Sequence, residues 1–245
     1  MTGKSFGGSE VDYYTGDYTD VPNAPLVRCH DVAYSRIESR YHLLLDDVTA
    51  THVEATGRQP TLEYAVALAD AFAAMHARWW GADRLAAAGR PVHDAAHVQR
   101  FVDIAAPGVP HVLGDDTTNL AAHWPDLIRD TFARHPTAMT HRTQSPQGFT
   151  LIHGDPGCTN WPVADRRRLE EPLLQRYHHQ LVAHGVTGYS LDQLWTDYRL
   201  TVQIGVYIAV EYNRGGLNTA GAFVWLPHLR RTLTACDDLE CTNLW

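Results

Sequence analysis

The feature that most constrains the fold is a helical repeat of apolar residues between Thr61 and Trp80. Apolar side chains recur there at spacings of three and four, which places them on one face of a helix. Gly81 follows, as is typical after a helix end. We therefore predict an amphipathic helix over 61–80. Its face comprises Leu62, Ala65, Val66, Ala69, Phe72, Ala73, Met75, His76, Trp79 and Trp80.

Several later segments also carry helix signals. Residues 119–135 predict a helix that Pro125 interrupts and Pro136 ends, because proline removes a backbone donor. A helix is also expected over 169–184, ending before Gly185.

Two more helices are expected towards the C-terminal end. Ser190 and Gln193 have the spacing of a capping box, and apolar residues follow on one face as far as Val202. A last helix is expected over 227–236. The chain is thus mainly helical.

Two apolar runs indicate strands between the helices. Leu43, Leu44 and Leu45 predict a buried strand that stops at Asp46 and Asp47. The run QGFTLIH at 147–153 predicts a second strand, entered through a glycine and followed by the polar loop GDPGCTN. The fold class predicted from helices and strands together is α+β.

Composition excludes several classes of protein. The chain has 245 residues, of which 44% are hydrophobic and 20% are charged, as in ordinary globular proteins. A formal net charge of −8 argues against nucleic acid or an anionic membrane as partner. The longest apolar run, Val202–Val210, is shorter than the roughly 20 residues that cross a bilayer. Scattered cysteines and the absence of a signal-peptide pattern predict a cytoplasmic protein.

The motif that carries chemistry is H-G-D-x-x-x-x-N, formed by His153, Gly154, Asp155 and Asn160 directly after the second predicted strand. The carboxylate of Asp155 can accept the proton of an attacking hydroxyl. The amide oxygen of Asn160 can coordinate Mg²⁺, which takes oxygen ligands and bridges nucleotide phosphates. The pattern therefore predicts phosphoryl transfer. The alternative is a β-turn in which Asp and Asn only cap their own backbone.

This loop resembles the catalytic loop of the aminoglycoside phosphotransferase and ecdysteroid kinase-like group of small-molecule kinases. SEVDYYT, which contains Glu10, resembles the small-lobe helix of that family, and LLLDDV at 43–48 resembles its hinge strand. ALADAFAAMHARWW at 67–80 is similar to a family helix that ends in His-Ala and an aromatic residue. The last helices agree as well, so the resemblance covers nearly all of the chain.

The resemblance implies a protein-kinase-like fold. Residues 1–50 would be the remnant of a truncated small lobe with the hinge, and 51–245 a mainly α-helical large lobe that carries the catalytic loop at 153–160. It implies ATP and Mg²⁺ as cofactors and a small molecule with a hydroxyl group as substrate.

The resemblance also implies roles for residues other than Asp155 and Asn160. Glu10 would pair with the cation that anchors the phosphates, and His153 would brace the loop. The backbone at Leu45, Asp46 and Asp47 would hold the adenine ring.

Two parts of such a site lack a clear counterpart in the sequence. Lys4 is the single lysine, and its Gly/Ser-rich surroundings are typical of a solvated terminus rather than of a phosphate-anchoring strand. After Asn160, the nearest carboxylate is Asp165, which a helix N-cap explains better than a metal role. The alternative function is therefore a non-catalytic, pseudokinase-like relic or a small-molecule-binding module. A metal-dependent hydrolase built on His and Asp residues is a third possibility.

Two other groups of candidate metal ligands have simpler interpretations. His93 and His97 would share a helix face, but without a third ligand they indicate a polar surface patch. Cys236 and Cys241 lack a second Cys/His pair at zinc-finger spacing, so we expect thiols rather than a zinc site.

Overall fold

The structure is a computed structural model, and it describes residues 6–21, 24–53, 58–90, 92–152 and 162–245. It is mixed α and β, with many helices and, in the described residues, one small two-stranded antiparallel sheet. The predicted mixture of helices and strands is confirmed, and the protein-kinase-like fold stays a prediction. None of the helices in the described ranges is long and apolar enough to cross a membrane.

The elements follow one another along the chain as a helix, a hairpin and then further helices. They are α1 (Phe6–Asp12), β1 (Cys29–Ser35), β2 (Arg40–Leu45), α2 (Leu62–Arg78), α3 (Ala82–Ala87), α4 (Ala95–Ala105), α5 (Val109–Leu113), α6 (Trp124–Thr143), α7 (Val163–Ala183), α8 (Leu191–Val202), α9 (Ile204–Glu211) and α10 (Ala222–Asp238). A π-helical turn at Tyr13–Asp17 and 3₁₀ turns at Ala106–Gly108, Asp116–Thr118 and Cys241–Leu244 complete the described elements.

The chain divides into two compact units. Unit 1 combines 1–80 with 150–187, and unit 2 combines 81–149 with 188–245. This division does not follow the lobe boundary expected near residue 50, and the two lobes stay a prediction.

The hairpin of unit 1 contains the predicted strand at Leu43–Leu45. β1 and β2 pair antiparallel, with Val32 opposite Leu43. The prediction that this strand is buried is wrong, because the side chain of Leu44 is 58% exposed. Helix α1 packs against the two strands and covers one face of the sheet. Alternate side chains of each strand point to the other face and stay in solvent.

Helix α2 confirms the helix predicted from the apolar repeat. Thr61 is its N-cap, and the Thr61 hydroxyl accepts a hydrogen bond of 3.1 Å from the backbone N–H of Tyr64. Ala65, Ala73 and Met75 are buried, and α2 packs along α7. The repeat thus marks the face that forms the centre of unit 1.

The N-terminal segment is fixed to the C-terminal part of α2 by polar contacts. The indole N–H of Trp79 donates to the backbone oxygen of Asp17 at 3.0 Å, inside the unit. Arg78 forms an ion pair with Asp20 at 2.8 Å. A hydrogen bond shielded from water is costly to lose, so the Trp79 contact holds the segment more firmly than the exposed ion pair does.

The core of unit 2 lies between helices α5, α6, α9 and α10. Its fully buried side chains include Val112, Ile128, Val206, Trp225 and Leu229. Close backbone approach is part of this packing, because a Cβ on Gly108 would lie 2.2 Å from the carbonyl oxygen of Val210.

Cys236 and Cys241 both lie buried in the core of unit 2. Their interpretation as thiols rather than zinc ligands stays a prediction. The described residues contain no group of three or more His, Cys, Asp or Glu side chains that could hold a metal ion.

The limits predicted for the helices are wrong where they rest on proline. Pro125 lies in the first turn of α6, where a missing backbone N–H costs nothing, and Pro136 lies inside the same helix. Pro172 and Pro227 also lie inside helices, α7 and α10 respectively. The predicted helix start at Ser190 is confirmed, since the Ser190 hydroxyl accepts from the backbone N–H of Gln193 at 3.1 Å.

The second predicted strand is absent from its described part, residues 147–152. A side-chain clamp fixes the turn before this segment instead. Arg142 forms two hydrogen bonds with the carboxylate of Asp197, at 2.5 and 2.7 Å, and also donates to the backbone oxygen of Gln147 at 2.7 Å. The hydroxyl of Tyr189 donates to Asp197 at 2.8 Å. The Gln147 carbonyl is therefore bonded to a guanidinium rather than to a neighbouring strand.

We expect Gly148→Ala to disrupt this clamp. Gly148 has a φ of +78°, and a Cβ there would lie 2.3 Å from Nη2 of Arg142 and 3.0 Å from a carboxylate oxygen of Asp197. Breaking a largely buried ion pair adds to the backbone strain, so the free energy of unfolding should fall by about 2 to 4 kcal/mol in chemical denaturation.

Gly89→Ala is the matched control. Gly89 has a φ of +71°, and its Cβ would meet nothing within 4 Å, so it reports backbone strain alone at about 1 kcal/mol. Equal losses for the two variants would contradict the clamp.

Candidate functional site

The described structure reaches both ends of the predicted catalytic loop. The loop itself, with His153, Asp155 and Asn160, lies outside the described residues, and the roles of these three side chains stay predictions. On the N-terminal side, the hydroxyl of Thr150 donates to the backbone oxygen of His76 at 2.7 Å. On the C-terminal side, Pro162 is the N-cap of α7. The chain that leads into the loop is thus fastened to α2, and the chain that leaves it enters α7.

A buried histidine and tyrosine join these two helices. Nδ1 of His76 lies 2.8 Å from the hydroxyl of Tyr177, and the ring of Phe72 stacks on the imidazole with centroids 5.6 Å apart. Burial lowers the pKa of His76 to about 4 and raises the pKa of Tyr177. His76 is therefore neutral at pH 7, and its Nδ1 can accept the hydrogen bond of the tyrosine hydroxyl.

Sequence reasoning placed His76 on the apolar face of α2 but missed Tyr177 as its partner. The two residues are 101 positions apart, and no periodicity within one helix indicates a contact between helices. The one available signal was that both residues lie in segments with helical patterns. The pair links α2 to α7 next to the contact between Thr150 and His76. It can therefore orient the two chain segments that lead into and out of the predicted loop.

Glu10 lies in α1 and is exposed. The nearby Glu10 carboxylate raises the pKa of Tyr41 on β2. The described neighbour of Glu10 is therefore a tyrosine. The cation pairing implied by the family resemblance stays a prediction, and Lys4 lies outside the described residues.

Leu45, Asp46 and Asp47 lie where β2 ends. The backbone N–H of Asp46 donates to the carbonyl of Arg28 at 2.9 Å, which extends the pairing of the hairpin. The Asp46 carboxylate contacts Nε2 of His30 at 2.5 Å. This backbone donor and this carboxylate are engaged within the hairpin, and the adenine contact stays a prediction.

Asp47 forms a local turn. Its carboxylate accepts hydrogen bonds from the backbone N–H of Thr49 at 2.9 Å and from the Thr49 hydroxyl at 2.6 Å. These bonds hold the pKa of Asp47 below its usual value. Asp47 is thus an anionic cap of its own turn and stays charged at neutral pH.

The carboxylates at the start of α7 make contacts within that helix. Asp165 lies in the first turn and pairs with Arg168 at 3.0 Å. The prediction that Asp165 is the N-cap is wrong, because α7 begins at Val163 and its N-cap is Pro162. Arg166 pairs with Glu170 at 2.9 Å.

His93 and His97 do not share a helix face, since α4 begins after His93. Their rings stack with centroids 4.9 Å apart, and Asp94 accepts from both the backbone N–H and Nδ1 of His97. The carboxylate therefore caps the helix, which agrees with a polar surface patch.

Comparison with known proteins gave no match. No protein-family model, no curated protein and no solved structure matches this chain. The resemblance to small-molecule kinases therefore stays a prediction from the sequence motifs.

The buried His76 should make stability depend on pH. Its unfolded pKa is about 6.5 and its folded pKa is about 4, so in this range the unfolded chain binds a proton that the folded chain excludes. The contribution of the neutral His76 to the free energy of unfolding is fully present above about pH 6.5. It decreases towards pH 4, by up to about 1.4 kcal/mol per pH unit.

In His76→Gln, this decrease should be shallower than in the unsubstituted protein when urea unfolding is measured at about pH 7 and pH 5. His135, whose pKa burial also lowers to about 4, is present in both proteins and cancels in the comparison. An unchanged pH slope in the variant would show that His76 is not held neutral by the fold.

Proposed function

We propose that this chain transfers the γ-phosphoryl group of ATP to a hydroxyl of a small molecule. The proposal includes a protein-kinase-like fold with a truncated small lobe and a helical large lobe. The observation that carries it is the motif H-G-D-x-x-x-x-N at 153–160, which lies between a segment fastened to α2 by Thr150 and the start of α7.

The proposed reaction is an in-line displacement at the γ-phosphorus. The acceptor oxygen forms a bond to phosphorus, the bond to the bridging oxygen breaks, and ADP leaves with that electron pair. Asp155 accepts the proton of the acceptor hydroxyl, and His153 braces the loop. Mg²⁺ neutralises phosphate charge when bound, and Asn160 is its proposed protein ligand.

The nucleotide would contact unit 1. All of the described residues with a proposed nucleotide role, Glu10 and Leu45 to Asp47, belong to this unit, as do both anchors of the loop. Glu10 supports the cation beside the phosphates, and the backbone at the end of β2 faces the adenine. A cytoplasmic location is part of the proposal, because the cysteines are scattered along the sequence.

A non-catalytic binding module is the second candidate. It is favoured by the carboxylates that follow the loop, because Asp165 and Glu170 are paired with arginines and Glu171 accepts from Gln175 within α7. A second metal contact would have to compete with these pairs. A binding module keeps the proposed pocket and does not need that contact.

If the chain is a kinase, Mg²⁺-dependent release of ADP in the presence of small alcohols and amino alcohols should depend on Asp155. Asp155→Asn keeps the size of the side chain and removes the base, so turnover should fall by about 10² to 10⁴. A coupled assay for ADP measures this loss.

Asp165→Asn is the matched control, since it removes a carboxylate that is paired with Arg168 in the first turn of α7. It should leave turnover within about twofold. Turnover that survives Asp155→Asn, or falls equally in both variants, would remove Asp155 from the role of base. A complete lack of turnover would favour the binding module over the kinase.

A further inference from the structure

Unit 2 contains a cavity that the proposed phosphoryl transfer does not use. Its volume is about 560 Å³, within the roughly 300 to 1,000 Å³ of pockets that bind small molecules. One face of α6, two residues of α8 and the last two residues of the described chain form its walls. Its surface is mainly apolar, with Ala133, Leu200 and Trp245 among the lining residues.

The indole of Trp245 forms a flat wall of this cavity. Its ring packs edge to face on the buried imidazole of His135, with centroids 6.0 Å apart. The guanidinium of Arg134 donates to the backbone oxygen of Trp245 at 3.1 Å. The His135 contact thus holds the indole, and the Arg134 bond holds the backbone of the same residue. An aromatic wall that is already fixed favours a flat apolar ligand, because little side-chain freedom is lost on binding.

The ionisable side chains that line the cavity are basic. Among the described residues of its lining are Arg134, His141 and Arg142, and no lining residue is Asp or Glu. The charge of Arg142 is balanced by Asp197, which it contacts through two hydrogen bonds. Arg134 bonds to a backbone oxygen, and its remaining N–H groups are available at the exposed rim.

We propose that this cavity binds a small molecule with a flat apolar body and one carboxylate. The apolar body would lie against Trp245 and against Ala133 and Ala138 of α6. The carboxylate would accept hydrogen bonds from Arg134, whose planar guanidinium matches a carboxylate in geometry and charge. The inference is independent of the proposed phosphoryl transfer, since all of its residues lie in unit 2.

The test compares two probes of the same shape by isothermal titration calorimetry of the full chain without nucleotide. 1-Naphthoate carries the carboxylate, and 1-naphthamide is its uncharged counterpart. Naphthoate should bind with one site per chain and at least about tenfold more tightly than naphthamide, because only the anion gains the charge-assisted contact.

Two variants on the same helix distinguish a specific contact in the cavity from a general effect of removing a positive charge. Arg134→Met should weaken naphthoate about tenfold and change naphthamide less than about twofold. Arg129→Met is the matched control, because Arg129 lies on α6, pairs with Asp126 and does not line the cavity. It should change neither affinity by more than about twofold.

Ala133→Phe fills the cavity from an exposed position on α6 and should weaken both probes, with an unchanged thermal midpoint showing that the variant folds. The proposal is overturned if naphthoate does not bind at about millimolar concentration, or if naphthamide binds equally well. Equal losses in Arg134→Met and Arg129→Met, or unchanged binding in a folded Ala133→Phe, would also overturn it.

Discussion

The hydrogen bond between His76 and Tyr177 joins α2 to α7 inside unit 1. The same His76 receives the Thr150 hydroxyl at its backbone oxygen, so a single residue of α2 contacts the segment before the predicted loop and the helix after it. A neutral, buried imidazole makes this junction specific, because its one acceptor nitrogen, Nδ1, must be satisfied inside the protein. The geometry of any chemistry at 153–160 therefore depends on the packing of these two helices.

The parts of the fold that follow local rules could be predicted from the sequence. Thr61 and Ser190 cap α2 and α8 through contacts three residues away, and the apolar repeat between 61 and 80 identified the face that α2 buries. Pro136 could not be interpreted in this way. It has no N–H to donate to the carbonyl of Phe132, yet α6 continues to Thr143, with buried side chains such as Ile128 packed on its neighbours. Tertiary packing outweighs a local cost of about 3 kcal/mol, which the sequence does not display.

The candidate site also has one part that could be predicted from the sequence and another that could not. The motif from His153 to Asn160 is contiguous, so the chemistry of its side chains can be interpreted from the sequence alone. The contacts of Glu10 with Tyr41 and of Asp46 with His30 depend on the register of the hairpin, and a carboxylate's partner cannot be found from its own neighbours in the chain. The segment 147–152 shows most clearly what the sequence cannot predict. Its composition favours a strand, but the structure has no strand there, and the Gln147 carbonyl is bonded to Arg142, which also pairs with Asp197.

The central claim, that the chain holds a magnesium nucleotide through the loop at 153–160, is tested most directly by calorimetric titration with ATP in the presence and absence of Mg²⁺. The account predicts one ATP per chain, binding that requires Mg²⁺, and an affinity at least about tenfold lower in Asn160→Ala, because one oxygen ligand is lost. Asn243→Ala, at an exposed position of the C-terminal 3₁₀ turn, should leave the affinity unchanged. No binding at about millimolar Mg-ATP, or equal binding after removal of Mg²⁺ by a chelator, would contradict the claim.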